Sequence, residues 1–102
     1  MTPETKCKEA LKRALKAAGI RSYPLSAGGY SVAGLPDRMA VVAGQAVFFE
    51  AKSETGKLTA LQERMRDDLM ADGAEHYVVR PDNIDEVVKD VLNLRERRVH
   101  RS

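Results

Sequence analysis

The spacing of apolar residues changes character from one segment of the chain to the next. Cys7, Ala10, Leu11, Ala14, Leu15 and Ala18 recur at three- and four-residue steps, the stripe of an amphipathic helix. Thr2 suits its N-cap, Pro3 its first turn and Gly19 its C-terminal cap. Residues 20–36 are less regular. Ile20 to Leu25 predicts a short strand interrupted by Pro24, Ala27-Gly28-Gly29 a loop, and Tyr30 to Val32 a few extended residues before Gly34-Leu35-Pro36. Two β-rich runs, Asp37 to Val42 and Ala46 to Lys52, flank Gly44-Gln45. Glycine at the first central position of a two-residue turn predicts a type II′ hairpin in which Ala43 faces Ala46.

Ser53 to Leu58 is polar and contains glycine, hence a loop. Thr59 followed by Gln62 reads as a capping box opening a second helix, with Leu61, Met65 and Leu69 as its buried edge and Gly73 at its end. Ala74 to Val79 predicts a strand, and Pro81-Asp82-Asn83 a turn able to cap a last helix carrying Ile84, Val87, Val88, Val91 and Leu92. The order αβββαβα predicts a mixed α/β layered fold with hairpin strands at its centre. Beyond Leu94 the residues Arg95-Glu96-Arg97-Arg98-Val99-His100-Arg101-Ser102 read as a basic tail, so the expected organisation is one domain, 1–94, and a tail, 95–102.

Composition narrows the class without naming a chemistry. The 102 residues suffice for one small core, and 43% hydrophobic with 31% charged residues excludes simple disorder. No apolar run spans a bilayer, and MTPETKCKEALKRALK lacks a signal-peptide core, so a cytoplasmic location without membrane partner is expected. A single cysteine, Cys7, excludes a disulfide framework or a multi-cysteine zinc site. Seventeen Lys and Arg against 15 Asp and Glu leave +2, which conceals rather than excludes a local basic surface.

Chemistry concentrates at the open end of the hairpin. With Ala43 facing Ala46, Asp37 lies opposite Lys52, and Glu50 shares their strand face two positions away. Ala51 points into the other layer while its carbonyl stays at the strand edge. Two carboxylates and a carbonyl are hard oxygen ligands suited to Mg²⁺ or Mn²⁺, and an adjacent ammonium can orient water or offset charge on a phosphate.

The blocks Gly34-Leu35-Pro36-Asp37, Phe48-Phe49-Glu50-Ala51-Lys52 and Gly56-Lys57-Leu58-Thr59-Ala60-Leu61-Gln62, followed by Gly73-Ala74 and Tyr77-Val78-Val79-Arg80, carry a resemblance. Their order and spacing resemble the virus-type replication-repair nuclease (VRR-NUC) family of the PD-(D/E)XK nuclease superfamily, from the first helix to about Arg80. The resemblance implies a PD-(D/E)XK-like αβββαβ core, here with an extra C-terminal helix, and a divalent-metal-dependent DNA endonuclease. It implies that Asp37, Glu50 and the Ala51 carbonyl bind Mg²⁺ or Mn²⁺, that Lys52 positions or activates water, and that Gln62 faces the site. Gln62 equally suits a purely capping role. The family also places a glutamate of the first helix at the metal. Glu4, in phase with Cys7, Leu11 and Leu15, is expected to take that part at the metal ahead of Glu9, which falls among Lys12, Arg13 and Lys16.

Candidate phosphate contacts are Lys57, Arg38 and Arg80, with Lys6, Lys8, Lys12, Arg13 and Lys16 of the first helix and Arg95, Arg97, Arg98 and Arg101 of the tail behind them. Most of these are expected to be ordinary solvated charges. The resemblance and the small size imply a homodimer acting on branched DNA such as four-way junctions, in a bacterial or phage-infected cell. A non-catalytic DNA-binding module of the same fold and a sequence-specific restriction-type endonuclease remain the alternatives.

Overall fold

The computed structural model describes residues 1–25 and 32–101, with side chains as far as Arg97. The expected loop at Ala27-Gly28-Gly29 and the extended residues from Tyr30 lie outside the described residues. In chain order the elements are α1 (Pro3–Ala17), β1 (Tyr23–Pro24), β2 (Arg38–Val42), β3 (Gln45–Ala51), α2 (Ala60–Ala71), β4 (Glu75–Val79) and α3 (Ile84–Arg101). The predicted αβββαβα order is what forms. The strands build a four-stranded sheet in the order β1-β2-β3-β4. Pairing is antiparallel except between β3 and β4, which run parallel around the α2 crossover.

Both helix starts follow from local chemistry. Thr2 accepts from the Thr5 N–H ahead of Pro3 in α1, and Thr59 and Gln62 form a reciprocal capping box at α2. Cys7, Leu11 and Leu15 then present the buried stripe of α1 to one face of the sheet, where α3 joins it through Val87, Val91 and Leu94. Between them lie Ala40, Val42, Val47, Phe49, Ala51 and Val79. Phe49 is fully buried and stacks on Tyr77 at 6.1 Å between ring centroids.

The other face is covered more thinly. No residue of α2 is fully buried, and the helix packs chiefly on β4. Leu61, expected at its buried edge, is 57% exposed, whereas Met65 and Leu69 are half-buried. The first turn of α2 instead meets the Gly34 turn through backbone: a Cβ on Gly34 would stand 2.5 Å from the Leu61 carbonyl oxygen. With φ at +82° as well, this position admits glycine for two separate reasons.

Three expectations need correction. The strand expected from Ile20 to Leu25 shrinks to Tyr23–Pro24, because Ile20 turns into the core and Pro24 confines the segment to a sheet edge. The hairpin turn is Ala43-Gly44, with Val42 paired to Gln45 and φ of +50° and +84° at its central residues. Positive φ at both positions is the type I′ signature, so Gly44 is the second central residue rather than the first. Lastly, Arg95 to Arg101 continue α3 as helix, and the Arg95 guanidinium donates to the Gly19 carbonyl beyond the end of α1 at 3.4 Å.

Candidate active site

The corrected turn moves the strand register by two residues, which preserves every side chain's face. Arg38 pairs with Phe49, and the Asp37 N–H donates to the Phe49 carbonyl at 3.0 Å, so Asp37 enters opposite Glu50 rather than Lys52. Asp37, Glu50 and Lys52 still share the face turned away from the α1–α3 core. Glu50 is 2% exposed and Lys52 8%, both unusual for charged side chains.

The strand end is closed by a side chain. Phe49 and Ala51 direct their backbone groups toward β2, but β2 ends before it can pair with Ala51. The Ala51 N–H therefore donates to Asp37 Oδ2 at 2.8 Å. In an antiparallel strand the N–H and C=O of one residue point the same way, so the Ala51 carbonyl is also directed to the Asp37 side.

Two residues of α1, one turn apart, reach this cluster. Glu4 Oε1 lies 3.7 Å from Lys52 Nζ, and Lys8 Nζ lies 3.3 Å from Asp37 Oδ1. Of the two candidate helix glutamates, Glu4 is thus the one at the cluster, while Glu9 is exposed. Each charge of the helix meets an opposite charge of the sheet. Glu50 has no such relief. Burial, then the neighbouring Asp37 carboxyl, push its carboxyl up to about 8, with Lys52 pulling the other way and Glu4 adding to the rise.

The donors bear on whether a divalent cation fits. Glu50 Oε1 is buried without a hydrogen-bond partner, an arrangement that costs about 1–3 kcal/mol when nothing satisfies the acceptor. Beside it are the Asp37 carboxylate and the Ala51 carbonyl, all hard oxygen donors. Among the described residues no group of three His, Cys, Asp or Glu side chains is placed to hold a metal, so Glu4 does not complete a three-carboxylate cage. It stands on Lys52 instead. A two-carboxylate set matches an ion that keeps several of its waters, as Mg²⁺ does.

The remaining expected residues divide. Gln62 accepts from the Thr59 N–H through Oε1 at 2.9 Å, the capping role. Arg38 is tied by Nε to Ser22 Oγ at 2.6 Å, which fixes the segment before β1. Arg80, expected to face DNA, is committed to its own chain: one guanidinium nitrogen donates to the carbonyls of Ser53 and Gly56 at 2.7 Å and of Glu54 at 3.3 Å. It clamps the loop that follows Lys52. Lys57 projects from that loop and is exposed.

A groove of about 260 Å³ opens beside Asp37 and Ala51, walled by Lys8, Glu9, Lys12 and Arg38. A larger and mostly apolar cavity, about 820 Å³, lies between α1, Ser53 and Ile84. Neither Asp37, Glu50 nor Lys52 lines it; Asp37 and Ala51 line the smaller groove, while Glu50 and Lys52 line neither. Lys8 is the residue that sequence reasoning left among ordinary surface charges. The four-residue step from Glu4 puts both on one helix face, but it does not by itself say which lysine of α1 meets Asp37. Cys7, between them, donates its thiol to the Val79 carbonyl at 3.4 Å and is raised in pKa by burial, a structural part. His76, held neutral by burial, packs toward α2 and takes no part in the cluster.

The mixed sheet with α1 and α3 on one face and α2 on the other is a PD-(D/E)XK-like α/β fold. No family sequence model matches the chain, and no curated protein does. Among solved structures, one described as a VRR_NUC domain superposes with a TM-score of 0.73 at 27% identity, covering 87% of this chain and 97% of that one. This likeness in fold and sequence supports the VRR-NUC family, a nuclease-type domain. Among the described residues no helix is long and apolar enough to cross a membrane.

Proposed function

We propose that this protein is a divalent-metal-dependent endodeoxyribonuclease that hydrolyses phosphodiester bonds in branched DNA, with four-way junctions as the expected substrate. The observation that carries the reading is the buried, partnerless Glu50 oxygen beside Asp37, a carboxyl whose ionised form a bound cation would stabilise. Asp37, Glu50 and the Ala51 carbonyl would hold Mg²⁺ or Mn²⁺. When bound, the ion supplies Lewis-acid stabilisation of charge on the scissile phosphate.

The chain's own residues do the rest. Asp37 is fixed by the Ala51 N–H, so its carboxylate is oriented before any ligand arrives. Lys52, anchored by Glu4 and largely withdrawn from solvent, positions the attacking water and faces the charge that builds on phosphorus. Gln62 caps α2 through its oxygen, which leaves its amide nitrogen as the group that would serve the reaction. Lys57 and Arg38 contact backbone phosphates, and Arg80 acts through the loop it clamps. The absence of tryptophan and only 5% aromatic residues favour DNA shape over base stacking as the cue. Two copies supply two sites for the two strands of a junction, in the cytoplasm where such DNA occurs.

The test incubates the protein with labelled four-way junction, flap and linear duplex in Mg²⁺, Mn²⁺ or EDTA. Junction cleavage that vanishes with EDTA and with Asp37→Asn is the expected result. Metal-independent binding without cutting would overturn it in favour of a DNA-binding module. Cutting at one duplex sequence regardless of branching would favour a restriction-type enzyme. Sedimentation with and without junction reads the dimer, and a strictly monomeric chain refutes that part.

A further inference from the structure

Among the described residues, Lys8 alone forms an ion pair with Asp37, its Nζ lying 3.3 Å from Oδ1. The other carboxylate oxygen is already taken by the Ala51 N–H. The two partners differ in exposure: the Lys8 side chain is 42% exposed and that of Asp37 18%. A solvated cation therefore rests on a half-buried carboxylate at the mouth of the small groove. Exposed pairs of this kind contribute little to stability, so fold maintenance does not account for it. What the ammonium does accomplish is electrostatic. It supplies one positive charge to an oxygen that a divalent ion would need.

Lys52 cannot serve in this way. Its side chain is only 10% exposed and its ammonium faces Glu4. Lys8 has a flexible stem, an open side and a direction in which to move. Lys12, one turn further along α1, and Arg38 line the same groove with Glu9, so that beside Asp37 the three cations outnumber the one further acid. A divalent cation on Asp37 would repel an ammonium held at contact distance, and a DNA phosphate in the groove would attract it.

We infer that Lys8 is an exchangeable counter-cation: it covers Asp37 Oδ1 in the metal-free protein, yields that oxygen to the divalent ion, and then turns along the groove to a backbone phosphate. The inference rests on the metal-dependent nuclease reading above. It makes Lys8 a competitor of the metal and a partner of the DNA, so that ion binding and substrate binding favour each other through one side chain. Metal-free protein keeps Asp37 compensated, and metal-loaded protein gains a phosphate contact beside the cluster.

The experiment titrates Mn²⁺ into metal-free protein without DNA, at mildly alkaline pH, and follows binding by calorimetry. Wild type is compared with Lys8→Gln, Lys8→Arg and Lys12→Gln, each first checked for folding by circular dichroism. Removing the competitor should tighten Mn²⁺ binding by about tenfold in Lys8→Gln, whereas Lys8→Arg stays near wild type. Lys12→Gln, whose charge is screened and further off, should change it by less than about twofold. Junction binding with Ca²⁺ as the ion should weaken in Lys8→Gln, with its salt dependence reduced by about one phosphate contact. Mn²⁺ binding by wild type with no gain in Lys8→Gln overturns the role of Lys8 and leaves the nuclease reading standing. An equal gain in Lys12→Gln reduces the effect to general surface charge and also overturns it. No Mn²⁺ binding by any of these proteins overturns the metal-dependent reading, and the inference with it.

Discussion

Replacing Glu50 with glutamine should stabilise the metal-free protein above neutral pH, an unusual outcome for a substitution in a proposed active site. The carboxyl is 2% exposed, and its pKa is pushed up to about 8 from the ordinary 4.5. Below about pH 4.5 it is protonated in folded and unfolded chains alike and contributes no pH dependence. Between about 4.5 and about 8 the unfolded chain releases its proton while the folded chain retains it, so stability falls as pH rises. Above about 8 both forms are ionised and the loss is complete. At about 1.4 kcal/mol per pH unit that gap corresponds to a ceiling of about 5 kcal/mol, lowered by relaxation and water penetration around the buried charge. Even about 1.5 kcal/mol would move the melting temperature of a domain this size by roughly 6–12 °C.

Glutamine has the same shape and no proton to lose. In EDTA, wild type should melt progressively lower from about pH 5 to about pH 9, while Glu50→Gln shows a shallower decline and overtakes it at the alkaline end. Mn²⁺ should raise the wild-type melting temperature more at about pH 9 than at about pH 6, because below the raised pKa a proton competes with the ion for the same carboxylate. The variant should lose most of this response. A Glu50→Gln protein that melts below wild type at about pH 9 in EDTA would refute the argument, as would a difference that does not vary with pH.

The loop clamp, the glycine contact and the exposed lysine give further tests. Arg80→Met removes hydrogen bonds to the carbonyls of Ser53, Glu54 and Gly56, a loss of roughly 1.5–3 kcal/mol; it should expose this loop to limited proteolysis, and an unchanged cleavage pattern would count against the clamp. Gly34→Ala meets the Leu61 carbonyl at 2.5 Å in a left-handed conformation and should cost about 1–3 kcal/mol, read as a lower urea midpoint. Lys57→Ala should leave that midpoint unchanged while weakening junction binding and lessening its salt slope by about one, and an undiminished slope would remove Lys57 from the DNA contacts.

What could be read from the sequence, and what could not, follows from the range of each interaction. Element order was legible because each signal is local: Thr59 and Gln62 lie within one turn of helix, and Cys7, Leu11 and Leu15 repeat on one stripe. The hairpin was misplaced by one turn position because Ala43 adopts the positive φ that glycine usually marks. Yet the register error came to two residues, and a strand's faces repeat with that period, so Asp37, Glu50 and Lys52 remained together. An error of one would have sent Glu50 to the face of Ala51 and into the apolar core. Contacts between elements were another matter. Whether Arg80 turns to DNA or to its own loop, and which lysine of α1 meets Asp37, depends on how the helix crosses the sheet end and on the path of the loop after Lys52. No local pattern encodes either. The carboxylates and Lys52 were therefore recoverable from spacing alone, whereas Lys8, the cation that compensates Asp37, became identifiable only once α1 was docked.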